Sequence, residues 1–127
     1  MLIIKKIESD LPEGRWFTYS EGVEFQVRPL TGEVLRRLRK QVTTTKMEVD
    51  PGSRRMVPVE KVNDEKLEEV MTDYLIQDFK GIGISSDRAM EVSLENKKLI
   101  MDQIPLREFI WASAQSLDVG QEQIKNS

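Results

Sequence analysis

The sequence contains no cysteine and no histidine, and both absences restrict the chemistry open to it. Without cysteine there is no disulfide framework and no thiolate to act as nucleophile or ligand. Without histidine the chain lacks the side chain that most often serves as a general base, and a usual zinc ligand. Carboxylate or lysine chemistry remains open in principle. Composition therefore lowers the expectation of an enzyme without excluding one, and it points to no catalytic residue, metal or cofactor.

Long apolar runs and a basic excess are also missing. The apolar run in the N-terminal MLIIKKIESD is too short for a signal peptide, and nothing approaches the roughly 20 apolar residues of a membrane span. The net charge of −3 argues against a dedicated nucleic-acid binder, which usually has a positive net charge. We therefore expect a cytoplasmic protein with no membrane or nucleic-acid partner.

The composition that is present fits one globular domain. The chain has 127 residues, of which 39% are hydrophobic and 32% are charged, with both signs mixed. We predict a single α+β domain over residues 1–117, followed by a flexible C-terminal tail over residues 118–127. The domain is expected to be mainly helical, with an N-terminal β-hairpin, a further strand at residues 2–7, about four helices, and a hairpin or loop inserted near residues 43–60.

The most regular stretch is residues 63–83, which predicts the central helix. Its apolar residues recur at i, i+3, i+4, i+7 and i+8, the spacing of one helix face: Leu67, Val70, Met71, Tyr74 and Leu75. Asn63 is placed to cap the N-terminus, and Gly81 and Gly83 are expected to end the helix, because glycine adopts left-handed backbone conformations at little cost.

Two residues in this stretch depart from the helical pattern. Ile76 falls on the polar face, so we predict that it is exposed and serves as a contact for a partner. Asp78 falls in line with the apolar face in the last turn. We predict that it anchors the following turn by accepting hydrogen bonds from the backbone of Gly81 and Gly83.

Turn and capping residues indicate the remaining elements. The segments 15–20 and 23–28 are separated by Glu21-Gly22 and predict a hairpin, and the second of them alternates in polarity. Asp50-Pro51-Gly52-Ser53 predicts a turn between two β-prone segments. Thr31 can cap a helix over residues 32–42, Ser93 a helix over residues 94–103, and Pro105 suits the first turn of a last helix to residue 117.

The helix at 32–42 has a basic face. Arg36, Arg37, Arg39 and Lys40 lie opposite its apolar residues. One interpretation is a contact site for phosphate, for an acidic partner or for self-association. The other is a solvated helix face, which is common in acidic proteins.

The order of segments resembles a known family. A hairpin leads into GVEFQVRPLTGEVLRRL, a central segment ends as DYLIQDFKGI, and ENKKLIMDQIPLREFIWASAQSL follows near the end. This arrangement is similar to that of tail assembly chaperones of long-tailed phages and prophages. The matching features are Arg28–Gly32, Asp78–Gly81, Glu95–Lys97 and the last helix. The inserted segment at 43–59 is longer than is usual in that family.

The resemblance implies a non-catalytic role. Such a protein binds the tape measure protein, recruits tail tube subunits around it in the cytoplasm of the bacterial host, and is absent from the finished virion. Two other hypotheses stay open. One is a minor tail or head–tail connector subunit that remains in the particle. The other is a small enzyme that uses Asp78 together with a second carboxylate.

Overall fold

The computed structural model describes residues 11–126, with side chains described to residue 117. The strand predicted at residues 2–7 lies outside this range. Within it the chain forms four helices and seven strands: β1 Arg15–Ser20, β2 Val23–Val27, α1 Gly32–Gln41, β3 Thr43–Val49, β4 Met56–Val62, α2 Asp64–Leu75, β5 Ile76–Lys80, β6 Gly83–Ser85, β7 Arg88–Ala89, α3 Leu94–Asp102 and α4 Ile104–Asn126.

The prediction of a mainly helical fold is wrong. Helices account for 54 and strands for 35 of the 116 described residues, and the strands form three small sheets. The difference comes from β5, which replaces the end of the predicted central helix, and from β6 and β7, which were not predicted. The N-terminal hairpin is present, and the inserted segment forms a second hairpin over Thr43–Val49 and Met56–Val62.

The central sheet has the strand order β1-β2-β5 and is antiparallel throughout. The β1–β2 turn contains Gly22 at φ 79°, a left-handed conformation in which a residue with a side chain would be strained. Phe25 and Val27 of β2 point to the same side and are fully buried. The alternation visible in the sequence therefore marks the face of this sheet that contacts the core.

The central helix is shorter than predicted. Asn63 caps it as expected, accepting a hydrogen bond from the Lys66 N–H at 3.2 Å, but α2 ends at Leu75. The chain then continues directly as β5, which pairs with β2. Ile76 is the Cα partner of Val27, whereas Asp78 is opposite Gln26, so the pairing has an irregularity at Gln77. This extra residue is a β-bulge.

The bulge explains why the helix prediction extended too far. It places Ile76 and Phe79 on the same side of the sheet, both buried, with two residues between them. A spacing of three is also the spacing of a helix face, so the pattern of a bulged strand imitates that of a helix. The Gln77 side chain is used locally, because its Oε1 accepts a hydrogen bond from the Gly14 N–H at 2.7 Å.

The helices close the core against this sheet. α2 contacts α1 and α3, α3 contacts α4, and α4 lies against β1 and β2. The buried cluster draws on all of these elements and includes Phe25, Val27, Val34, Leu38, Tyr74, Leu75, Ile76, Phe79, Ile100, Ile110 and Ala114. Predicted caps are confirmed at Thr31, which accepts from the Val34 N–H at 3.2 Å, and at Ser93, which accepts from the Asn96 N–H at 3.2 Å.

The last helix is longer than predicted. It runs from Ile104 to Asn126, where the sequence pattern placed its end at residue 117. Its backbone therefore continues through residues that we assigned to a tail. The flexibility of that tail and the division into one domain and a tail both stay predictions.

Two sets of polar contacts, one buried and one partly buried, hold α2 in place. The Tyr74 hydroxyl donates to the Pro29 carbonyl oxygen at 2.5 Å, and the Arg28 guanidinium lies over the Tyr74 ring at 5.3 Å. On the other side Lys97 of α3, which is only 7% exposed, donates through Nζ to the backbone oxygen of Asp73 at 3.1 Å and to its carboxylate at 2.9 Å. The Lys97 ammonium thus satisfies a carbonyl in the last turn of α2, where positive charge is favoured.

Candidate functional site

The β3–β4 hairpin is the longest strand pair that the structure describes, and most of it is exposed. Its two strands pair in continuous register from Thr43 opposite Val62 to Val49 opposite Met56. We refer to residues 43–62 as the hairpin arm. Every residue of β3 after Thr43 is exposed, and so are most residues of β4. An isolated two-stranded hairpin is marginally stable in water, so a partner that covers this arm would also stabilise it.

One face of the hairpin arm is apolar. In an antiparallel pair, residues directly opposite each other share a face and alternate residues repeat it. The register places one apolar set on a single face, together with Thr43, Thr45 and Glu60: Met47, Val49, Met56, Pro58 and Val62. Met47, Val49 and Met56 are 55%, 60% and 55% exposed. Contiguous exposed apolar side chains of this kind mark protein interaction sites more often than scattered ones.

The other face of the arm carries charged residues beside the half-buried Val57 and Val59, and the tip of the arm is ordered by hydrogen bonds. Lys61 and Glu48 form an ion pair at 3.0 Å on that face. At the tip the Asp50 carboxylate accepts from the Ser53 hydroxyl at 2.8 Å and from the Gly52 N–H at 3.3 Å. These bonds lower the pKa of Asp50, and the bond from Ser53 has the largest effect. The turn predicted at residues 50–53 is therefore confirmed, with β4 beginning at Met56.

The predicted basic face of α1 lies at the base of the hairpin arm. A shallow groove of about 400 Å³ is lined by both elements: Glu33, Arg36, Arg37, Arg39, Lys40, Thr43 and Glu60. Arg36, Arg39 and Lys40 are exposed, while Arg37 is partly covered and pairs with Glu33 at 3.4 Å. Residues 33–62 hold eight Lys and Arg against four Asp and Glu, although the whole chain is net −3. Their role as partner contacts stays a prediction.

The prediction that Ile76 is exposed is wrong. Its exposed fraction is 0%, because β5 turns it into the core beside Val27 instead of leaving it on the polar face of a helix. A fully buried side chain cannot contact a partner in the folded state. Ile76 is therefore removed from the candidate contact surface.

The prediction for Asp78 is also corrected. Asp78 lies in β5 and not at a helix end, and its Oδ1 accepts from the Phe79 N–H at 2.7 Å. No bond from Asp78 to the backbone of Gly81 or Gly83 is present in the part of the chain that the structure describes. Gly81 has φ +81° in the turn after β5, which requires glycine, while Gly83 belongs to strand β6.

A second surface, which the sequence did not predict, is a groove between α2, α3 and α4. It has a volume of about 520 Å³. Its apolar lining comes from all three helices and comprises Leu67, Met71, Leu75, Met101 and Trp111. Its polar lining comprises Asp64, Glu65, Glu68, Glu69, Thr72, Lys98, Asp102 and Arg107. The sequence predicted the apolar face of α2, which forms one wall of this groove. The opposite wall depends on how α3 and α4 pack.

Both surfaces combine exposed or half-buried apolar side chains with charged residues nearby. Among the described residues, no group of three or more Asp and Glu is arranged to hold a metal ion. In the same part of the chain no helix combines the length and the apolar character needed to cross a membrane. Comparison with known proteins found no matching family model, no matching curated protein and no matching solved structure.

Proposed function

We propose that this chain is a non-catalytic, protein-binding tail assembly chaperone of a long-tailed phage or prophage. In this role it binds the tape measure protein in the host cytoplasm and recruits tail tube subunits around it. The protein-binding part of this proposal rests on the exposed apolar face of the hairpin arm, since such a face is stabilised when a partner covers it. The phage assignment rests on the resemblance in the order of segments.

Contacts between the segments that carry the resemblance support treating them as one unit. Arg28 and Pro29 of the RPLTG segment meet Tyr74 of the DYLIQDF segment through the hydroxyl bond and the ring contact described above. Lys97 of the ENK segment bonds to Asp73, the first residue of DYLIQDF. The three segments, although separate in the sequence, therefore contact one another in the folded chain.

The test is co-purification of the tagged chain with the tape measure protein encoded in the same genome. Met47→Gln/Met56→Gln changes the apolar face of the hairpin arm and is expected to reduce recovery of the tape measure protein at least tenfold. The matched control is Glu48→Gln/Lys61→Gln on the opposite face. It removes only an exposed ion pair, a change of about 0–1 kcal/mol, and should leave recovery unchanged.

Two outcomes would overturn the proposal. One is failure of the wild-type chain to form a complex with the tape measure protein in repeated trials. The other is detection of the chain in purified virions by mass spectrometry. A structural minor tail or head–tail connector subunit stays in the particle, whereas a chaperone does not.

A further inference from the structure

The α2–α3–α4 groove is separate from the hairpin arm and has its own recognition chemistry. Leu67, Met71 and Leu75 lie at i, i+4 and i+8 along α2 and form one side of its apolar floor. Met101 of α3 and Trp111 of α4 form the other side. All but Leu75 retain partial exposure, so the floor can still bury apolar surface against another molecule.

The groove follows the full length of α2. Its lining begins at Asp64 and ends at Leu75, the first and last residues of that helix. At 1.5 Å per residue this corresponds to roughly 17 Å, or three helical turns. A trough of this length between packed helices matches a short amphipathic helix, which binds by placing its i, i+3, i+4 and i+7 side chains on an apolar floor.

The rim of the groove is negatively charged. It has five carboxylates against two basic side chains, and one of the latter, Lys98, already pairs with Glu69 at 2.6 Å. Within the described residues, no Lys or Arg nitrogen lies within 4.0 Å of the carboxylates of Asp64, Glu65, Glu68 or Asp102. A partner with positive charges beside its apolar face would supply the missing ion pairs. A partner with negative charges there would be repelled.

We propose that this groove is a docking site for an amphipathic helix of another protein whose apolar face is flanked by Lys or Arg. The apolar floor supplies affinity and the acidic rim sets specificity and orientation. The inference goes beyond the proposed function, because it holds for any partner that carries such a helix and does not depend on the hairpin arm.

The experiment uses the full-length chain and a labelled synthetic peptide of about 18 residues, long enough to form a helix. The peptide has a leucine face flanked by lysines. One control peptide replaces every lysine by glutamate, and another scrambles the order so that no apolar face forms. Binding is measured by fluorescence anisotropy. Emission of Trp111 is followed in a Trp16→Phe background, where it is the sole tryptophan.

The variant Glu68→Lys/Asp102→Lys reverses one charge on each wall. Asp102 is the last residue of α3, where a positive charge is favoured, and Glu68 lies beyond the first turn of α2, where the effect of the helix dipole has fallen off. Its matched control is Glu13→Lys/Glu21→Lys, two exposed carboxylates outside the groove that give the same change in net charge. Circular dichroism verifies that both variants are folded.

The expected result is binding of the lysine peptide, with a blue shift of Trp111 emission and at least tenfold weaker binding by both control peptides. Glu68→Lys/Asp102→Lys should weaken binding about tenfold, and Glu13→Lys/Glu21→Lys less than twofold. Equal affinities for the lysine and glutamate peptides would overturn the inference. So would equal effects of the two variants, or dimerisation of the chain that the groove variant abolishes, which would make a second copy the occupant.

Discussion

The bond between Tyr74 and Pro29 leads to a prediction with a distinctive pH dependence. Tyr74→Phe removes the hydroxyl that donates to the fully buried Pro29 carbonyl oxygen and keeps the ring under Arg28. Leaving a buried acceptor without its donor costs about 1–3 kcal/mol. We therefore expect the free energy of unfolding at pH 7 to fall by that amount.

The contribution of Tyr74 should disappear at high pH. Burial raises the pKa of Tyr74 to about 12 from its ordinary value of 10.0, and the nearby Arg28 charge partly opposes this. Because the folded state holds the proton more tightly than the unfolded state, the stabilisation is fully present below pH 10. It is lost progressively as the pH rises towards 12. Two pH units correspond to about 2–3 kcal/mol.

The assay is urea unfolding of the wild type and Tyr74→Phe between pH 7 and 12 at constant ionic strength. Lysine titration affects both proteins alike and cancels in the difference between their unfolding free energies. That difference should be constant to about pH 10 and then shrink towards zero as the pH approaches 12. A difference that stays constant over the whole range would refute the argument, as would a wild-type stability at pH 7 equal to that of the variant.

Three further substitutions, two of them paired with a control substitution, test the packing of α2 and β5 by circular dichroism during urea or thermal unfolding. Lys97→Met should lower the free energy of unfolding by about 1.5–3 kcal/mol, because it removes the charged donor to Asp73. Lys98→Met breaks only an exposed ion pair and should lower it by at most about 1 kcal/mol. Equal losses for the two variants would contradict the structural role of Lys97. Ile76→Ala should cost about 2–5 kcal/mol. The same change at Ile84, which is 63% exposed, should stay within about 0.5 kcal/mol, and a small effect at Ile76 would mean that it is not in the core. Gly81→Ala should lower the free energy of unfolding by at least about 2 kcal/mol, because φ is +81° and a Cβ would lie 1.8 Å from the Gly22 carbonyl oxygen. An unchanged unfolding midpoint would argue against the turn described here.

The hairpin arm shows how much of a candidate surface can be predicted from sequence. The turn at Asp50 and the β-prone segments beside it predicted two strands, because side-chain bonds to neighbouring backbone groups form locally. Which face would be apolar followed only from the register, since a slip of one residue would exchange the two faces. The α2–α3–α4 groove was even harder to predict from the sequence. Met101 and Trp111 reach it through the packing of α3 and α4, which no local pattern specifies.

The three helix caps and the turn of the N-terminal hairpin were determined by the sequence alone. Asn63, Thr31 and Ser93 each bond to a backbone N–H three residues ahead, and Gly22 adopts the backbone conformation that its hairpin requires, so neighbouring residues suffice to predict them. The tertiary structure decided where α2 ends. Ile76 becomes a strand residue because β2 offers it unpaired backbone groups and a place beside Val27 in the core. Pairing with a distant strand outweighs local helix propensity at this position, and only the folded chain brings that strand within reach.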